Sequence, residues 1–73
     1  MQGNTQNGGQ PQLDAPNLKV LEDQLNYESM MSKKLDRYSE YCTDAQLKNV
    51  CRQAAQNHKQ NFNSLLDYLN SHQ

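Results

Sequence analysis

Residues 38–50 read YSEYCTDAQLKNV, and the fold turns on whether a helix runs through them or breaks. Thr43 followed three positions later by Gln46 has the form of a capping box, which satisfies orphan N–H groups at a helix start. Asp44 adds negative charge where a helix N-terminus favours it. No Gly or Pro marks the spot, so one unbroken helix is the competing reading. With a break at Cys42-Thr43-Asp44, two helices flank a short connection and therefore run antiparallel.

Upstream, Asp14 suits an N-cap and Pro16 a first turn, where a missing N–H costs nothing. From Pro16 to Cys42 there is no further Gly or Pro. Leu18, Leu21, Leu25, Met31, Leu35, Tyr38 and Cys42 form a stripe at helical spacing. Downstream the stripe is Leu47, Val50, Cys51, Ala54, Ala55, His58, Phe62, Leu65, Leu66 and Leu69. The pattern predicts helices over about residues 16–42 and 44–71 within a hairpin spanning 13–73. The fold class is thus all-α, an antiparallel two-helix hairpin. Residues 1–12, MQGNTQNGGQPQ, are dominated by Gln, Asn and Gly and read as a disordered tail.

Two helices alone cannot cover two wide stripes. A homodimer forming a four-helix bundle resolves this, with a loosely packed monomer as the alternative. The expected core and dimer residues are Leu21, Leu25, Met31, Leu35, Tyr38, Val50, Ala54, His58, Phe62, Leu65, Leu66 and Leu69.

Composition narrows the function classes. Seventy-three residues make one small domain, with 34% hydrophobic residues and net charge −1. Seven basic and eight acidic residues are mixed along the chain, unlike the basic face of a nucleic-acid binder. The same mixture gives no electrostatic anchor for an anionic membrane, and no apolar run approaches a membrane span. Met1 leads into polar residues rather than a secretory signal, so synthesis in the cytoplasm is expected.

Chemistry has few footholds. Glu28 and His58 are the two polar residues lying mid-stripe. With the turn near Thr43, residues whose numbers sum to about 86 face each other across an antiparallel hairpin, and these two do. One reading is a buried hydrogen bond that fixes register. The other is a metal site, since di-iron bundles combine Glu with Glu-x-x-His pairs. Here the position three before His58 is Ala55, so a second carboxylate is missing, and neither metal nor cofactor is expected. Cys42 and Cys51 sit at different levels, too far apart for an intramolecular disulfide, and read as small buried residues. An intermolecular bridge is the other option. Tyr27, Tyr38, Tyr41 and Tyr68 read as stripe-edge residues with wet hydroxyls. Lys33, Lys34, Arg52 and Lys59 read as a solvated face. No nucleophilic triad or phosphate loop is present, so no enzyme is expected.

The stretch SKKLDRYSEYCTDAQLKNVCRQAAQNHKQNFNSLLDYLN resembles the second half of the spore coat F family of endospore-forming bacteria. The matching residues are Lys34, Tyr38, Asp44, Leu47, His58, Leu65, Tyr68 and Leu69, and the likeness spans about residues 17–70. Members commonly carry a Gly-Trp-Tyr-like tail where this chain has Ser71-His72-Gln73. The resemblance implies a ferritin-like hairpin and a structural protein, made in the mother cell and deposited on the spore coat. Its partners would be itself and other coat proteins. It also makes Glu28 and His58 intelligible as a remnant of a metal centre. The alternatives in function are a degenerate ferritin-like metal binder using those two residues, and a small helical adaptor for another protein.

Overall fold

The computed structural model describes residues 12–72. The tail expected over 1–12 therefore lies, but for Gln12, outside the described residues. Two helices make up the described chain: α1, Ala15–Tyr41, and α2, Ala45–Ser71. They pack against each other in a rod of 56 × 20 × 12 Å, with no strand among the described residues.

Local chemistry accounts for where each helix starts and stops. Asp14, in extended backbone, accepts from the Asn17 N–H at 2.9 Å, and Pro16 falls in the first turn. The reversal uses the same device. Asp44 caps α2 by accepting from the Leu47 N–H at 2.7 Å. This corrects the capping-box expectation: the cap is the Asp44 carboxylate, one residue after Thr43. A carboxylate there both satisfies an orphan donor and meets the positive end of the helix dipole. Cys42, also extended at φ −73° and ψ 130°, closes α1 with its N–H on the Tyr38 carbonyl at 3.1 Å. Cys42 and Asp44 both hold negative φ, so neither position calls for glycine.

The surfaces that meet follow a heptad. Along α1 and its C-cap a run of buried and half-buried positions, Leu18, Leu21, Leu25, Glu28, Ser32, Leu35, Ser39 and Cys42, is spaced alternately three and four apart, with Ser29 and Met31 half-buried beside it. Along α2 and its C-cap a run with the same alternation is Lys48, Cys51, Ala55, His58, Phe62, Leu65, Leu69 and His72, with Ala54 and Leu66 half-buried beside it. This is the seam of an antiparallel coiled coil. It adds Ser32 and Ser39 to the α1 stripe, in which Met31 is half-buried and Tyr38 exposed. The two serines are 7% and 3% exposed, whereas Tyr38 is 47% exposed. A search for large apolar residues passes over small hydroxyl side chains, yet small ones let helices approach closely.

The seam is unevenly filled. Away from the turn it holds Leu18, Leu21 and Leu25 against Phe62, Leu65 and Leu69. Toward the turn it holds Ser32, Leu35 and Ser39 against Lys48, Cys51 and Ala55. Among the described apolar residues only Leu21 and Ala55 are buried.

Candidate functional site

At the middle of the seam, His58 Nδ1 donates a hydrogen bond to Glu28 Oε1. The carboxylate side chain is 9% exposed and the imidazole 22%. The heptad puts both on the inner face, because Glu28 continues the spacing between Leu25 and Ser32, and His58 that between Ala55 and Phe62. A carboxylate this buried is stable only with a partner, and His58 supplies a donor. The Tyr27 ring meets the imidazole edge-on, with centroids 5.9 Å apart. The structure thus brings together the two residues singled out in the sequence as metal candidates. Among the described residues no three His, Cys, Asp or Glu side chains gather into a potential metal-binding group. As a pair, Glu28 and His58 can fix register.

The two faces of the rod differ in chemistry. In an antiparallel pair, corresponding flanks of the two seams come to the same side. On one side Ser29, Lys33, Asp36 and Lys59 line a shared groove of about 250 Å³ with Phe62 at its base. That face is polar. On the other lie Val20, Tyr27, Met31, Tyr38 and Tyr41 from α1, with Leu47, Val50, Ala54 and Tyr68 from α2. The Tyr27–His58 ring contact ties that flank of α1 to α2. Among the described residues, the large apolar ones that stand exposed belong, apart from Met30, to this face: Val20, Tyr27, Tyr38, Tyr41, Leu47, Val50 and Tyr68. Its charge is sparse. Lys34 is one cation on it, and its Nζ sits 5.7 Å from the centroid of the Tyr38 ring.

The other expected core positions divide accordingly. Leu21 is buried, and Leu25, Leu35, Phe62, Leu65 and Leu69 are half-buried in the seam. Met31, Ala54 and Leu66 are half-buried beside it. Tyr38 and Val50 are exposed, Val50 at 58%, and so lie outside the core of the single chain. Both belong to the apolar face. What the stripe reading missed was that face and seam are separate surfaces. The signal was available: strict three-four alternation from Leu18 includes Glu28, Ser32 and Ser39 and excludes Met31 and Tyr38.

Cys42 and Cys51 are free thiols, each half-buried. Burial pushes the Cys51 thiol up, and Cys42, within hydrogen-bond reach of it, adds to the shift, so the two thiols lie closer than their expected levels implied. No helix among the described residues is long and apolar enough to cross a membrane.

No family model, curated protein or solved structure matches the chain.

Proposed function

We propose that this chain is a structural module that works by self-association, two hairpins pairing through their apolar faces into a four-helix bundle. One observation carries the reading: exposed tyrosines and aliphatics from both helices gather on a single side of the rod. Scattered exposed apolar residues need no explanation, but a contiguous patch marks a contact surface. A rod 56 Å long and 20 Å wide offers a broad face on the scale of the roughly 800 Å² that each partner gives to a standard interface. Pairing of one face with its own copy gives a closed twofold dimer.

The resemblance to the spore coat F family supplies the proposed setting, a protein shell laid down around the bacterial spore with other coat proteins as further partners. The sequence support is the match at Lys34, Tyr38, Asp44, Leu47, His58, Leu65, Tyr68 and Leu69. A non-catalytic role accords with Glu28 and His58 being spent on each other inside the hairpin. Their contact also favours a second reading, a reduced ferritin-like metal centre. Titration with iron or zinc followed by elemental analysis separates the two, since stoichiometric metal lost on changing either residue supports the second. Sedimentation equilibrium at micromolar concentration tests the first. The expected mass is twice the chain's 8.4 kDa, and a concentration-independent monomer overturns the proposal.

A further inference from the structure

The two cysteines stand on opposite sides of the reversal. Cys42 is the C-cap of α1, in extended backbone with its N–H on the Tyr38 carbonyl. Cys51 lies in the second turn of α2, counted from the Asp44 cap. Both occupy seam positions: Cys42 follows Ser39 by three residues, and Cys51 precedes Ala55 by four. Ser39 and Ala55 are 3% and 2% exposed, and small enclosed residues of this kind let two helices approach closely. Each thiol is free and half-buried, and the two lie within hydrogen-bond reach of each other. Neither the Glu28–His58 pair nor the apolar face makes use of them.

We infer that Cys42 and Cys51 form a dithiol site that closes to an intramolecular disulfide, clamping the end of α1 to the second turn of α2. A small-molecule disulfide supplies the oxidant. One cysteine thiolate attacks a sulfur of that molecule, which forms a mixed disulfide and releases one half of it as a thiolate. The second cysteine attacks the mixed disulfide, the Cys42–Cys51 bond forms, and the other half leaves. The two protons given up by the cysteines end on the two released thiols, so the chain is oxidised as one small disulfide is reduced. Closure within the chain outruns a bridge between chains because thiols held on one chain meet at an effective concentration on the order of millimolar. Cys42 also stands beyond Tyr41, the last residue of α1. The torsions that bring the sulfurs to bonding distance are therefore those of the connection, and both helices keep their hydrogen bonds. The closed loop restricts the unfolded chain and so favours the folded hairpin.

The test uses the full chain, reduced and then equilibrated at micromolar concentration with oxidised glutathione. Intact mass should show a single chain lighter by two hydrogens, with no thiol left to alkylate. Trypsin cuts after Arg37, Lys48 and Arg52, so the bridge should appear as residues 38–48 linked to residues 49–52. The linkage should disappear on reduction with a phosphine. Thermal unfolding of the bridged chain should move up by roughly 5–10 °C relative to the reduced chain. Cys42→Ser and Cys51→Ser should each keep their helicity in circular dichroism, form no bridge and show no such rise. Stable glutathione adducts on both cysteines, a disulfide-linked pair of chains, or two unreacted thiols each overturn the inference. So does a bridge that forms without raising the unfolding temperature. Sedimentation of the reduced chain reads self-association separately, so the two proposals fail independently.

Discussion

His58 donates to Glu28 from 30 residues away in sequence, across the seam and between Leu25 and Phe62 on one side and Ser32 and Ala55 on the other. A hydrogen-bonded polar pair in a coiled-coil core can specify register at some expense in stability. Here the surrounding seam is otherwise permissive, since leucines and serines tolerate a one-turn slip that the pair does not. A slip of one turn would leave a carboxylate buried without its donor.

The pair's energetics follow from that asymmetry. Glu28→Leu and His58→Leu are each expected to destabilise the hairpin by roughly 1–3 kcal/mol, because the remaining partner keeps its desolvation cost. The double change should recover much of the loss. Urea unfolding of the four proteins reads the coupling. Additive losses would mean that the two side chains do not support each other.

The reversal is expected to depend on Asp44. Asp44→Ala removes the acceptor for the Leu47 N–H and the favourable charge at the start of α2, and should cost about 1 kcal/mol. Asp44→Asn keeps the acceptor and should cost less. Thr43→Ala should be nearly silent, since the cap is not Thr43. A larger effect at Thr43 than at Asp44 would move the cap back to the capping-box position.

Much of this architecture is legible in the sequence, and the reasons are local. Asp14 before Pro16 and the break near Thr43-Asp44 are short-range signals, although the cap falls on Asp44 and not on the Thr43 of the capping-box pattern. The opposition of Glu28 and His58 follows from a turn position and helical rise. The two faces are not legible in the same way. Tyr38 and Ser39 are adjacent, and only packing decides which of them turns inward. The seam takes Ser39, whose hydroxyl is satisfied by the Asp36 carbonyl of its own helix at 2.6 Å. A serine bonded to its own backbone can be buried without a partner across the seam. Hydrophobicity ranks the two residues the other way round, so the apolar pattern placed Tyr38 in the core.

Cys51 gives a pH signature. Its thiol is pushed up, by burial first and by Cys42 beside it. The thiolate is the reacting species, so Cys51 should alkylate more slowly than an unfolded thiol at mildly alkaline pH. The linkage has a definite sign. A folded-state value above the unfolded one means that the unfolded chain releases the proton first. Stability from this group is complete below the thiol's ordinary range and is lost as pH rises through the raised folded value. Cys51→Ser should flatten that alkaline decline in thermal unfolding. An identical decline without the thiol would assign it to another group.

Ala55 tests how closely the helices approach. It is 2% exposed, in the seam half that also carries Ser32 and Ser39. Three small residues in one stretch are what a short interhelical distance requires, and no large residue can be added there without displacement. Ala55→Leu adds three carbons at the most enclosed position and should destabilise the hairpin by roughly 1–3 kcal/mol through overpacking. The same change at Ala54, half-buried on the apolar face beside it, has room outward and should be close to neutral for the single chain. In urea unfolding the two variants should therefore separate clearly although their chemistry is the same. If Ala55→Leu stabilises the hairpin, the turn half is loosely packed within the chain. Its small seam residues would then be filled by larger side chains without loss.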